Sequence, residues 1–197
     1  MSQLHQSSTE KTVRNDRQQV VKILAFGVVL GGGIALLKGD VAGVRGAAGN
    51  LVGPWLLPAF YSVLTLTHRR TMLTAAWLAS ALAVASFYFL QWARWDLVNG
   101  HTAAYNLFWV VAGATACAVV ALIASYIART PSMLWLLWGA VAALFSALYA
   151  LYLLTGTDPL DRQSSYALTV LASIVVFIAL GVVGAYLCRD RSGSTHG

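Results

Sequence analysis

The sequence predicts an all-α, polytopic membrane protein: a bundle of six transmembrane helices with both termini on the cytoplasmic side. Three observations lead there. Hydrophobic residues make up 58% of the 197 positions and charged residues 10%, whereas a soluble domain has about 45–50% and about 25%. Six apolar runs each approach the ~20 residues needed to cross a bilayer. Basic residues sit at the ends of those runs, mostly on one side. Lipid solvates apolar side chains directly, so a chain this poor in charge needs no polar coat.

Residues 1–19, rich in Ser, Gln and charge, read as a disordered cytoplasmic tail. The transmembrane domain covers 20–188, with spans at 20–37, 51–67, 72–92, 103–128, 133–156 and 166–188, and residues 189–197 form a second cytoplasmic tail. The first span contains Lys22, close enough to the surface for its ammonium to snorkel. No small-residue cleavage site follows this run, so it is expected to stay in the mature protein.

Loop charges set the orientation. With the amino terminus inside, the cytoplasmic segments hold Lys11, Arg14, Arg17, Lys22, Arg69, Arg70, Arg129, Arg189 and Arg191, nine in all, against four (Lys38, Arg45, Arg94, Arg162) outside. That satisfies the positive-inside rule. Trp55, Trp92, Trp95 and Trp109 fall near the external ends of their helices, and Trp135 and Trp138 near the internal start of the fifth, at depths that suit amphipathic rings. The implied location is the plasma membrane, with the lipid bilayer as the first partner.

Helix association in lipid depends on close packing, because tails are as apolar as leucine. Gly27, Gly31 and Ala35 form a small-residue stripe on the first helix, and alanines and glycines repeat at the same spacing on the third, fourth and fifth. Two readings stand: packing within the chain, or a face kept for a membrane-protein partner or a second copy. The start of the second helix is unusual, with Pro54 and Pro58 four residues apart. Pro58 cannot donate to the carbonyl of residue 54, so this turn should bend or loosen. It is either a plain helix start or a discontinuous helix of the kind that lines transporter sites.

The chemical inventory is thin. Glu10 is the only glutamate, and neither HExxH nor GxSxG occurs. His5 and His196 lie in the tails, and His68 and His101 in opposite loops, so no two can share a metal. Cys117 and Cys188 show no CxxC spacing and read as buried packing residues. Asp158 and Asp161 flank Pro159 in a turn, and the net charge of +6 is scattered rather than gathered into a nucleic-acid patch. The expectation is a protein without catalytic residues, metal, cofactor or nucleic-acid partner. Polar residues do collect at the external side, and a ligand site there would draw on Asp40, Asn50, Trp55, Tyr88, Gln91, Arg94 and Asn106. Intramembrane polar groups are costly and tend to face the bundle interior. The competing reading is that these residues cap helix ends and pair with one another.

Gly39-Asp40, the segment Asn50-Leu-Val-Gly-Pro-Trp55-Leu-Leu-Pro-Ala59-Phe60 and the aromatic run Phe87-Tyr88-Phe89 resemble an actinobacterial family of small multi-pass membrane proteins, a domain of unknown function. Pro58 departs from its pattern. The resemblance implies a six-helix fold and a plasma-membrane location, and it carries no activity. At the level of topology the chain is also similar to the substrate-capture subunits of energy-coupling-factor vitamin transporters, which dock a small-residue face of their first helix on a partner. Two functions follow as expectations: binding or transport of a small molecule through an outward-facing polar cavity, or assembly of partner membrane proteins by lateral helix contacts.

Overall fold

In the structure, a computed structural model, residues 2–39, 49, 51–95, 103–128, 130–155 and 164–193 are described. Seven helices with described ranges follow in order among these residues: α1 (Ser2–Lys38), α2 (Val52–Trp55), α3 (Leu57–Thr65), α4 (Arg69–Trp95), α5 (Ala103–Ile127), α6 (Pro131–Thr155) and α7 (Ser164–Gly193). No strand occurs among the described residues. Among the described residues, five stretches are long and apolar enough to cross a membrane: Asp16–Lys38, Arg69–Arg94, Asn106–Ile127, Pro131–Leu151 and Leu168–Arg189. At 1.5 Å per residue, each exceeds the ~30 Å of hydrocarbon in a bilayer. Large apolar side chains such as Phe108, Leu144, Val175 and Val183 are exposed on their outer faces. Such surfaces are stable in lipid and not in water.

Helix ends have identifiable chemical causes. α1 stops at Gly39, whose φ of 60° suits glycine, and its N–H donates to the Ala35 carbonyl at 2.9 Å. α6 starts with Pro131 at a position where a missing N–H costs nothing, and the Met133 N–H donates to Thr130 Oγ1 at 3.3 Å. α1 begins at Ser2, so helix extends back through the segment that composition assigns to a disordered tail. α7 continues to Gly193, past the apolar run that ends at 188.

The second apolar segment differs from a single helix over 51–67. It is two short helices, together too short to be counted with the five, meeting at Leu56. Pro58 cannot supply the N–H that the Pro54 carbonyl would accept in a continuous helix. Ser62 Oγ donates to the Pro58 carbonyl at 2.8 Å, and Leu66 is already extended.

Small residues decide which helices touch. Gly27 and Gly31 lie against the backbone of Ala79 and Ala83 on α4, and Ala35 is fully buried beside Phe87. Contacts that advance together along both helices make α1 and α4 parallel. α6 and α7 run antiparallel and meet at Gly139 and Gly181, where a Cβ on Gly139 would stand 2.7 Å from the Phe177 carbonyl oxygen. The stripe on α1 is therefore covered by α4 of the same chain.

The core between these pairs is built around the broken segment. Leu56, Ala59 and Phe60 pack with Ala76 of α4, Cys117 and Ala121 of α5, Trp138 and Ala142 of α6 and Phe177 of α7. At one end Leu66 of the segment meets Ile23 and Met72. At the other, Leu51 packs against Ala150 and Val170.

Candidate functional site

The polar residues expected at the external side divide when placed in the structure. Asp40 and Asn50 lie outside the described residues. Trp55, Tyr88 and Gln91 come together around the end of α1. Trp55 stands edge-on to Phe87 with centroids 5.3 Å apart, and Phe87 stands edge-on to Tyr88 at 5.4 Å. The Lys38 ammonium sits 5.4 Å above the Phe87 ring, a cation–π contact. Gln91 is buried, and its amide donates to the Ala35 carbonyl at 3.1 Å and to the Gly39 carbonyl at 3.3 Å. The last carbonyls of a helix lack a full set of local donors, and Gln91 adds a second donor to the Ala35 carbonyl and supplies one to Gly39 just past the helix end. Arg94 is exposed one turn further along α4, and Asn106 is half-buried near the start of α5.

Gln91 thus closes a helix end, which accords with the capping reading of that residue. Gln91→Met keeps the side-chain length and removes both donors, so it is expected to destabilise the protein by about 1–2 kcal/mol in thermal unfolding in mild detergent. Stability equal to that of the unchanged protein would show that this amide has no structural role.

The break in the second segment is tied down in the same way. The Gly53 carbonyl accepts the Leu56 N–H at 3.2 Å and the Trp138 indole N–H at 3.1 Å. The Trp55 carbonyl accepts the Cys117 thiol at 3.4 Å. Carbonyls beside the break thus find donors on α5 and α6.

Of the seven, the five that are described line neither of two cavities formed by the described residues. One, at Leu73, Trp77 and Ala118, is a shallow depression between α4 and α5. The other is a half-open groove of about 310 Å³ between α1, α3 and α6. Lys22 and Phe26 come from α1, Leu57, Tyr61 and Leu64 from α3, and Trp135 from α6. Phe60 and Trp138, both almost fully buried, complete its lining. The Phe26 ring stands edge-on to Tyr61 at 5.5 Å, and Trp135 edge-on to Trp138 at 5.7 Å, so a framework of packed rings shapes the walls. Lys22 is the one charged residue of this lining, and its side chain is exposed.

Sequence reasoning placed Lys22 only as a snorkelling residue and so missed the groove. The clue was the combination of a lysine inside an apolar run, a proline-shortened second segment and two tryptophans three residues apart. Among the described residues, no group of three His, Cys, Asp or Glu side chains could hold a metal. The sole carboxylate among the described side chains is Asp16, which is buried with its Oδ2 3.9 Å from His68 Nε2.

No family model matches the sequence, and no curated protein or solved structure does so either. The class that the fold defines is an all-helical chain whose five long apolar helices are compatible with a multi-pass membrane protein.

Proposed function

We propose that this chain is a six-span protein of the plasma membrane, with both termini cytoplasmic, that holds a membrane-resident amphiphile in the groove between α1, α3 and α6. The groove carries this reading. Its volume of about 310 Å³ lies in the range of ligand sites, which run from about 300 to 1,000 Å³. Its lining is apolar and aromatic except for one cation, a distribution that fits a molecule with a greasy body and a polar end. The parallel course of α1 and α4 supports the sixth crossing, because α2 and α3 must bring the chain back between them. The excess of basic residues on one side supports the orientation.

The protein is a binding component in this reading, without catalytic chemistry of its own. An outward-facing site for a water-soluble molecule would have to draw Gln91 away from the two carbonyls it serves. Partner docking through Gly27, Gly31 and Ala35 would have to displace α4. Both of these alternatives disrupt packing that the groove leaves intact.

Filling the groove tests the proposal. Leu57→Phe combined with Leu64→Phe puts two rings into it from α3. Purified through detergent exchange, the unchanged protein is expected to retain bound lipid detectable by mass spectrometry. The double variant should retain at least about tenfold less, equivalent to about 1.4 kcal/mol. Equal retention by the two proteins would count against the groove as the binding site.

A further inference from the structure

The groove also indicates which amphiphile it takes. We propose, resting on the groove reading above, that its occupant is an anionic phospholipid of the surrounding bilayer, with the phosphate on the Lys22 ammonium and one acyl chain along α3 toward Leu57. The level of Lys22 comes from its neighbours. It lies less than two turns beyond Asp16, and the Asp16 carboxylate reaches His68 in the turn before α4. Trp135, on the opposite wall, is one turn beyond Pro131 at the start of α6. Lysine stems and indole rings both favour the boundary between headgroups and hydrocarbon. From Leu64 to Leu57 the wall of α3 runs about 10 Å away from that boundary, a path for a chain and not for a soluble molecule.

Charge selects the headgroup. Arg69, whose guanidinium sits 4.4 Å above the Tyr126 ring, places the end of α5 at the same level as the start of α4. Gly184 against Trp135 brings the end of α7, with Arg189, to the same end. Arg17, Lys22, Arg69, Arg70 and Arg189 therefore share one end of the protein, while Asp16, the sole carboxylate among the described side chains, is buried beside His68. Lys22 makes no ion pair among the described residues. An anionic headgroup supplies the charge that this cation lacks among the described residues, and basic recesses between transmembrane helices do recruit such headgroups.

Quenching of tryptophan fluorescence by brominated lipids provides the test. The protein is reconstituted in vesicles of brominated phosphatidylglycerol or brominated phosphatidylcholine mixed with unbrominated lipid. The quenching lost in Trp135→Phe reports the groove. The expected result is a preference for phosphatidylglycerol at that site, reduced about fivefold in Lys22→Gln and kept in Lys22→Arg. Arg17→Gln removes the same charge from the same helix outside the groove lining and should keep the preference. Equal quenching by the two lipids overturns the headgroup assignment and leaves the groove reading intact. An equal loss in Arg17→Gln and Lys22→Gln also overturns it, because general surface charge would then suffice. If Trp135→Phe removes no quenching with either lipid, both the groove reading and the headgroup assignment fall.

Discussion

Gly31→Leu is expected to destabilise the protein by about 3 kcal/mol, the larger part of it from separation of α1 and α4. A Cβ at this position would lie 2.7 Å from the Ala83 carbonyl carbon and against Ser86 Oγ. Backbone cannot turn aside as a flexible side chain can, so the two helices must move apart. Ser86 Oγ also donates to the Val28 carbonyl at 3.2 Å across the same contact, and that link is lost with the separation. The control lies two residues away. Gly33 faces open space, with nothing within 4 Å of a Cβ, and Gly33→Ala is expected to stabilise α1 by up to about 1 kcal/mol through helix propensity. Unfolding in detergent, followed by circular dichroism, should show opposite signs for the two variants. Similar effects from both would mean that the close approach of α1 to α4 does not hold in the folded protein.

The same pair shows what was legible in the sequence. Apolar length marked the helices well, because the cost of exposing backbone in hydrocarbon leaves helix as the simplest local solution. Five of the apolar runs coincide with the long helices. Spacing also exposed the small-residue stripe on α1, but not what covers it, since Ala79 and Ala83 lie far along the chain. Pro54 and Pro58 announced a disturbed turn from chemistry alone. Its partners were invisible, because Cys117 reaches the Trp55 carbonyl across 62 residues and Trp138 reaches the Gly53 carbonyl across 85. Gln91 was conspicuous as a polar residue at an apolar depth, yet polarity alone does not separate a ligand group from a donor to a neighbouring helix end. Lys22 had the opposite problem. A lysine near the start of a span has an ordinary explanation, and only the shortness of α3 and the position of Trp135 turn it into the rim of a groove.

Trp138→Ala is expected to cost about 4 kcal/mol, because this residue joins the two parts of the molecule that the sequence could not connect. It is 4% exposed, and its ring stands edge-on to Phe177 on α7 with centroids 5.6 Å apart. Its indole N–H holds the Gly53 carbonyl at 3.1 Å. Removing the ring opens a void between α2, α6 and α7 and leaves that carbonyl with the Leu56 N–H alone. Trp138→Phe separates the two contributions. Most of the apolar volume stays, and the lost hydrogen bond should cost about 1 kcal/mol, with faster amide exchange at Leu56 and Leu57 where the segment is broken. Trp109 provides the comparison: it is 45% exposed on α5, and Trp109→Ala should cost less than about 1 kcal/mol in a lipid-like detergent. Equal losses from Trp109→Ala and Trp138→Ala would mean that the broken segment is not anchored through α6. If the losses differ as expected, Trp138 fixes the position of α3 against α6, and with it the width of the groove whose lining both helices share.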